Sequence, residues 1–237
     1  MADPISPTAP DLIGRRVASQ RWSHLAFLHW RVDAAAIAPL LPPGVRPDEH
    51  DGSSWVGLIG FMLDRATLGG SPPIPYFGEF AEINVRLYGV DERGRRGVVF
   101  LSLEASRLAA VLAARALFAI PYFWSRTWLA IAGDEIEYGA VRHVGPGRSR
   151  FTIRVTEALV ESDATADFLT ARWGLFTQRG GRTIFLPNWH EPWRLREAQL
   201  LHLDDDLCAI AGIDLGNRMP DSVLYGEAVT TWFGSAR

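Results

Sequence analysis

Short runs of aromatic and aliphatic residues, separated by turn-forming residues, dominate the hydrophobic pattern of this chain. Residues 82–90 alternate most regularly, and successive side chains along a strand point to opposite faces. The apolar face would carry Ile83, Val85 and Leu87, and the polar face would carry Glu82, Asn84, Arg86 and Tyr88. Strands are predicted at residues 22–32, 54–63, 82–90, 97–103, 128–132, 135–142, 150–157, 175–178, 182–186 and 222–233. Glycine-rich turns join several of them as hairpins.

Helical patterns are fewer. Asp33 can cap a helix over residues 34–41, residues 108–118 have helical composition, and Asp163 can cap a helix over residues 164–173. Many strands with a few helices indicate a mainly β (α+β) fold, either a large antiparallel barrel or a curved sheet, which can enclose a ligand cavity. Residues 1–15 are rich in Pro and Ser and predict a flexible arm, and residues 16–237 predict a single domain.

Composition narrows the class of protein. With 48% apolar and 22% charged residues, the 237-residue chain is expected to fold as a globular protein. The net charge of -3 disfavours a nucleic-acid partner, which usually selects a basic surface. No apolar run reaches the ~18 residues of a membrane helix, and no signal peptide is visible at the start, so we expect no membrane partner and a cytoplasmic location.

The absence of certain residue types limits the chemistry. All 24 basic residues are arginine, so no lysine can form a Schiff base with a carbonyl substrate. Cys208 is the single cysteine, which excludes a disulfide within the chain. No metal-binding spacing, phosphate-binding loop or dinucleotide fingerprint is present, so neither a metal nor a cofactor is expected.

Eight stretches occur in a recognisable order: W-S-H-L-A-F-L-H-W-R-V, L-L-P-P-G-V, D-G-S-S-W-V-G-L-I-G-F, E-I-N-V-R-L-Y-G, G-V-V-F-L-S-L-E-A, A-R-A-L-F-A-I-P-Y, F-L-T-A-R-W-G-L-F and H-E-P-W-R-L. Over roughly residues 21–233 the chain resembles the YqjF-like bacterial family, a domain of unknown function within the acetoacetate decarboxylase-like superfamily. The resemblance implies a large cone-shaped antiparallel β-barrel around a central cavity, with a few peripheral helices. A shared fold does not by itself carry function.

The segment A-R-A-L-F-A-I-P-Y-F is similar to the decarboxylase motif R-E-I-W-G-F-P-K-K. In that alignment the motif's arginine corresponds to Arg115 and its proline to Pro121. The Schiff-base lysine corresponds to Tyr122, and the lysine that lowers its pKa corresponds to Phe123. Because a phenol cannot form an imine, the resemblance comes without the decarboxylase mechanism, and we expect no such activity.

Candidate site residues follow from the polar face of residues 82–88 and from this motif. The expected ligand-binding residues are Glu82, Asn84, Arg86, Glu104, Arg115 and Tyr122, and the candidates for proton transfer are Glu82, Tyr122 and His190.

Each candidate also has a structural alternative. The polar face could point to water, and Glu104 could form an ion pair or cap a helix. Arg115 could hold a carboxylate or pair with a buried glutamate, Tyr122 could be a core residue, and His190 could belong to a structural loop.

Three functions fit these observations. The first is a small-molecule-binding barrel for an anionic or carbonyl-bearing ligand, because arginine recognises carboxylates. The second is a lysine-independent lyase, isomerase or hydratase that uses the same cavity. The third is a scaffold or oligomerisation module whose core is filled by aromatic side chains. Aromatic-rich barrels of this kind often associate, so a homo-oligomer is compatible with all three.

Overall fold

The computed structural model describes residues 2–12, 14–161 and 163–236. Strands make up 54% of the chain and helices 12%, which confirms the mainly β class. The strands are β1 (Arg16–Val32), β2 (Val45–Pro47), β3 (Ser54–Leu68), β4 (Phe80–Asp91), β5 (Arg96–Ala105), β6 (Tyr122–Ala132), β7 (Glu135–Arg142), β8 (Arg148–Leu159), β9 (Gly174–Arg179), β10 (Arg182–Trp189), β11 (Leu195–Asp205), β12 (Ser222–Gly226) and β13 (Val229–Gly234). The helices are α1 (Ala34–Ile37), α2 (Leu108–Phe118), α3 (Ala164–Thr170) and α4 (Leu207–Ile210).

Two strands change partner part-way along one edge, which makes the sheet fork. The first part of β1 pairs with β13 and its second part with β12, while β5 pairs first with β9 and then with β6. The change of partner in β1 coincides with a bulge against β3, where His24 adopts a positive φ of 52°. The pairings of β5 with β6 and β9 are parallel, whereas the other strand pairings are antiparallel.

The forked sheet closes into two circuits that share β1, β3, β4 and β5. The larger circuit continues through β6, β7, β8, β11 and β12, and the smaller one continues through β9, β10 and β13. The molecule is therefore not one regular barrel. Since β4 lies between the two circuits, both of its faces are buried. Ile83, Val85 and Leu87 join the largest apolar cluster, and the polar face predicted from the sequence points into the smaller circuit.

Close packing in the larger circuit depends on a glycine in β3. A Cβ atom at Gly60 would lie only 2.6 Å from the ring of Tyr138 and 2.8 Å from that of Phe151. These two rings stack on each other with their centroids 4.9 Å apart. The glycine thus allows the two walls of the circuit to approach closely.

The predicted elements differ from the observed ones mainly near their ends. Asp33 and Asp163 cap α1 and α3 as expected, but α1 gives way to a 3₁₀ turn at Ala38–Leu40 and α3 ends at Thr170. The strand predicted at residues 222–233 is two strands. Strand β11 was not predicted, because two register shifts against β8 break its alternation of apolar and polar residues.

The N-terminal arm contacts the body of the domain. The backbone N–H of Asp3 donates to the carbonyl of Gly94 at 2.7 Å, and Trp173 Nε1 donates to the Ser6 carbonyl at 3.0 Å. The flexibility of the arm stays a prediction. Met1 and Ile13 of the arm, and Ser162 and Arg237 of the predicted domain, lie outside the described residues.

Ala119, which follows α2, adopts the left-handed conformation with φ 54° and ψ 32°. Glycine takes this conformation without steric cost, whereas other residues lose roughly 1–2 kcal/mol. We expect Ala119→Gly to raise the free energy of unfolding by ~0.5–1 kcal/mol after the entropy cost of glycine. Urea denaturation measures the change. Ala116→Gly, within the same helix, is the matched control and should be destabilising, and an equal loss in both variants would contradict the prediction.

Candidate functional site

A small polar cavity of about 100 Å³ lies inside the smaller circuit. The shared strands β1, β3, β4 and β5 form one side of it, and β9, β10, β13 and the loop after β10 form the other. Its polar lining consists of Gln20, Glu82, Asn84, Arg86, Tyr122, Thr170, Arg172, Asn188 and His190. Most of the remaining wall is aromatic or aliphatic, so charges inside the cavity are poorly screened by water.

Glu82 is the central acidic group of this cavity. Its side chain accepts a hydrogen bond from the Tyr122 hydroxyl at 2.7 Å and one from Asn84 Nδ2 at 3.2 Å. Strand β4 positions Glu82 and Asn84 two residues apart on one face, and Tyr122 enters as the first residue of β6. The three groups form a hydrogen-bonded set that holds the carboxyl in one orientation.

Burial raises the pKa of Glu82 from 4.5 to about 7. The bonds from Tyr122 and Asn84 act in the opposite direction because they stabilise the carboxylate, and the charge of Glu104 adds a smaller upward contribution. Burial also raises the pKa of the Tyr122 hydroxyl, which therefore stays protonated near neutrality. At neutral pH, Glu82 can consequently both accept and release a proton.

Two arginines bring positive charge to the cavity. Arg86 Nε donates to the Tyr88 hydroxyl and its Nη2 donates to the Leu169 carbonyl, both at 3.0 Å. Arg172 Nη1 donates to Asp48 at 2.6 Å, and its Nε donates to the Phe168 carbonyl at the same distance. These bonds hold both guanidinium groups in place, which suits the binding of a planar anion.

Two buried polar atoms of the lining have no hydrogen-bond partner among the described residues. One is the donor Arg172 Nη2 and the other is the acceptor Asn84 Oδ1. Buried polar groups are normally paired, and an unpaired one costs free energy. A ligand oxygen that accepts from Arg172 would satisfy the donor, whereas Asn84 Oδ1 needs a group that carries a proton.

His190 faces the same cavity from the loop after β10 and is 2% exposed. Its Nδ1 lies 2.7 Å from the carbonyl of Glu191, so Nδ1 carries the proton and Nε2 is left as an acceptor. The rings of Trp173 and Trp193 pack against it at 4.6 Å. Burial lowers the pKa of His190 to about 4, so the imidazole is neutral at pH 7.

The structure brings together most of the site residues that the sequence suggested. Glu82, Asn84, Arg86, Tyr122 and His190 all line the cavity. The polar face of β4 is thus directed into the interior and not toward water. Whether these residues bind a ligand stays a prediction.

Glu104 lies elsewhere. It is fully buried, forms a salt bridge with Arg142 at 2.7 Å and accepts a hydrogen bond from Ser125 at 2.6 Å. The Arg142 guanidinium also lies over the Phe123 ring at 3.6 Å. The placement agrees with the structural ion pair that was the alternative for Glu104, although its partner comes from β7.

Arg115 is also outside the cavity, and the expectation that it forms a cavity wall is wrong. It lies on the exposed side of α2, and the motif alignment placed it near the site only in sequence. Helix α2 ends at Phe118 and β6 begins at Tyr122, so Arg115 and Tyr122 belong to different elements although only seven positions separate them. The alternative, a buried pair of Arg115 with Glu82 or Glu104, is also absent from the contacts of the described residues.

Sequence reasoning missed Arg172, which supplies the unpaired donor. Arg172 follows α3 within F-L-T-A-R-W, a stretch quoted only for its resemblance. A charged residue between an apolar helix and Trp173 was the available signal, because charged side chains are seldom buried without a partner. Gln20 and Asn188 were missed because strand sequences give no indication of which polar residues meet inside a closed sheet.

No group of three or more His, Cys, Asp and Glu side chains in residues 2–12, 14–161 and 163–236 is placed to hold a metal ion. Within the same part of the chain, no helix is long and apolar enough to cross a lipid bilayer.

Comparison with known proteins identifies the family. The DUF2071 family, described as an uncharacterized conserved protein, matches residues 19–230. The chain belongs to the DUF2071 family. A bacterial relative, the uncharacterized protein YqjF of Bacillus subtilis (strain 168), is 31% identical to this DUF2071 protein in a 202-residue alignment that covers 81% of this chain and 79% of the relative.

Solved structures show that this DUF2071 protein has the acetoacetate decarboxylase-like fold. An acetoacetate decarboxylase-like enzyme from Sphingomonas wittichii RW1 is similar with a TM-score of 0.66 and 14% identity, covering 94% of this chain and 92% of that one. The enduracididine biosynthesis enzyme MppR, complexed with pyruvate, is similar with a TM-score of 0.64 and 14% identity, covering 100% and 95%. At such identities the similarity establishes the fold alone.

The raised pKa of Glu82 predicts a dependence of stability on pH. From pH 4.5 to about 7 the unfolded chain loses the proton of Glu82 while the folded chain keeps it, so this group destabilises the fold increasingly, by up to ~3 kcal/mol above pH 7. Glu82→Gln removes the effect. We therefore expect the variant to gain stability over the native chain as pH rises through this range, and then to keep a constant difference.

Urea denaturation of both proteins across this range measures the difference directly. His190 acts in the opposite direction, because its lowered pKa destabilises the fold as pH falls below 6.5. Its contribution to the free energy of unfolding is the same in both proteins and therefore cancels in their difference. A difference that does not vary with pH would show that Glu82 titrates normally. Tyr122→Phe should raise the pKa of Glu82 further, since it removes a donor to the carboxylate.

Proposed function

We propose that this protein binds a small carboxylate- or carbonyl-bearing molecule in the polar cavity. The observation that carries the proposal is the convergence of Glu82, bonded to Tyr122, with the unpaired donor of Arg172 in one buried cavity. Polar groups held in place before a ligand arrives reduce the entropy cost of binding. The coarser conclusion, an acetoacetate decarboxylase-like fold in an uncharacterised family, is shown by the comparisons.

The charge distribution supports an anionic ligand. Asp48 forms ion pairs with both Arg172 and Arg96, so its single negative charge leaves this group with a positive excess. Arg86 adds a second positive charge, with two of its nitrogens bound to the neutral acceptors of Tyr88 and Leu169. Glu82, which is half-protonated near pH 7, offsets this charge incompletely. A carboxylate would therefore be attracted to the cavity.

The cavity also supports a carbonyl ligand without imine formation. Tyr122 occupies the position that corresponds to the Schiff-base lysine in the motif alignment, and the chain contains no lysine. A protonated Glu82 or a guanidinium N–H can donate a hydrogen bond to a carbonyl oxygen. Pyruvate, which is bound in the structurally similar MppR, is a suitable first probe because it carries both groups.

Titration calorimetry with pyruvate tests the proposal. We expect binding by the native protein and a loss of about tenfold or more in Arg86→Met, as for removal of a charged hydrogen-bond donor. Arg115→Met is the matched control, since it removes an arginine from an exposed position on α2. Circular dichroism establishes that both variants fold. Equal binding by the native protein and a folded Arg86→Met would contradict the role of the cavity arginine.

A second candidate function is proton transfer at a carbon next to the carbonyl group. It is favoured by two groups suited to accept a proton at neutral pH, Glu82 with a pKa of about 7 and His190 with a free Nε2. In such a step the C–H bond breaks, its electron pair moves toward the carbonyl oxygen, and the proton passes to the base. Arg172 or Arg86 would stabilise the resulting enolate.

Proton nuclear magnetic resonance of pyruvate in deuterated water detects this step as loss of the methyl signal. If Glu82 is the base, the rate should rise with pH through about 7 and fall to the buffer rate in Glu82→Gln, while Arg115→Met retains it. A rate that rises near pH 4 instead and depends on His190 would assign the base to that residue. Exchange no faster than in buffer would exclude this chemistry for pyruvate.

The third hypothesis, a scaffold with a filled core, receives less support. The polar cavity alone is smaller than the ~300 Å³ typical of ligand pockets, but it borders a second cavity of about 350 Å³. Space of this size beside polar side chains is unlike an aromatic core that is packed throughout.

A further inference from the structure

A second cavity of about 350 Å³ lies between α2 and the adjacent ends of β1 and β3. Its lining is almost wholly apolar. Alanines of α2 form one wall, among them Ala110, Ala113 and Ala114, and their short side chains leave the space open. Larger apolar residues in place of these alanines would fill it.

The two cavities share a wall. Gln20, Ile120, Tyr122, Leu175 and Phe233 line both of them. Tyr122 marks the boundary, because its hydroxyl is bonded to Glu82 while it also borders the apolar space. The polar lining of one cavity thus meets the apolar lining of the other at the side chain of Tyr122.

The far end of the apolar cavity is open to water. Leu68, Ile74, Phe77 and Leu117 line it and are each 39–52% exposed. Contiguous exposed apolar surface is uncommon on globular proteins and marks binding sites. Helix α2 covers the space, and Val111 is its one fully buried residue among those described.

We propose that the apolar cavity holds the hydrocarbon chain of a ligand whose carboxylate or carbonyl end lies beside Glu82. The inference rests on the proposed function, and it specifies the ligand as a 2-oxo acid or similar carbonyl compound with an unbranched apolar chain. The polar end of the ligand enters first, and its hydrocarbon chain extends toward the mouth of the apolar cavity, the end beside Phe77 and Leu117 that is open to water. The lining shared at Tyr122 sets a polar space beside an apolar one, which favours a ligand with one polar and one apolar end over a protein segment.

Binding of a homologous series tests the inference. Titration calorimetry with pyruvate, 2-oxobutanoate, 2-oxohexanoate and 2-oxooctanoate should show a dissociation constant that falls about fourfold for each added methylene. The gain should stop when the chain reaches the mouth, because further methylenes remain in water. The heat-capacity change of binding should become more negative along the series, as expected for burial of apolar surface.

A matched pair of variants tests where the hydrocarbon chain of the ligand lies. Ala114→Phe places a ring in the apolar cavity, and it should remove the gain with chain length while leaving the affinity for pyruvate unchanged. Ala116→Phe makes the same substitution on the same helix outside the lining, and it should bind like the native protein. If Ala114→Phe does not fold, Ala113→Phe serves instead, because Ala113 lines the cavity from an exposed position.

The outcomes separate this inference from the proposed function. If pyruvate binds and its longer homologues bind no more tightly, the chain-binding role is wrong and the polar site stands. If pyruvate and every homologue fail to bind, both proposals are wrong. Sedimentation velocity gives one further outcome: a dimer that Ala113→Phe disrupts, without any dependence of binding on chain length, would assign the apolar mouth to a second copy of the chain.

Discussion

The burial of both faces of β4 is the constraint on which the rest of the structure depends. Because β1, β3, β4 and β5 belong to two closed circuits, side chains on either face of β4 lie in an interior. One face is apolar and joins the main core through Ile83, Val85 and Leu87. The other carries charged and amide groups, which are costly to bury unless they are paired. The cavity is the arrangement in which these groups find partners.

Those partners come from distant parts of the chain. Glu82 is bonded to Tyr122 of β6, and Arg86 is bonded to the carbonyl of Leu169 in α3. The pairing is incomplete at Arg172 and Asn84, where a donor and an acceptor remain unsatisfied among the described residues. Interiors that serve only for stability rarely leave such atoms unpaired, whereas binding sites retain polar groups for a ligand. In the cavity of the smaller circuit, a donor and an acceptor left unpaired lie beside the titratable carboxyl of Glu82.

The sequence predicted the features that depend on local periodicity, and missed those that depend on closure of the sheet. The alternation at residues 82–88 placed Glu82, Asn84 and Arg86 on one face, since the period of a strand is set by its own backbone. It could not show that this face is internal, which requires the partner changes of β1 and β5. Arg115 was misplaced because α2 is apolar on several sides, and its exposed face is decided by packing against β5 and β6. Arg172 lies just after α3, and its apolar neighbours in the sequence indicate burial but not which cavity the side chain lines.

The nearly neutral pKa of Glu82 has a consequence for the thermodynamics of anything that binds beside it. An anion placed next to Glu82 favours the protonated carboxyl, so binding near pH 7 would draw a proton from solution. The apparent affinity would then decline as the solution becomes more alkaline, and the measured enthalpy would include the ionisation heat of the buffer. Through this linkage a single buried carboxyl, 2% exposed, would make binding in the cavity responsive to small changes of pH.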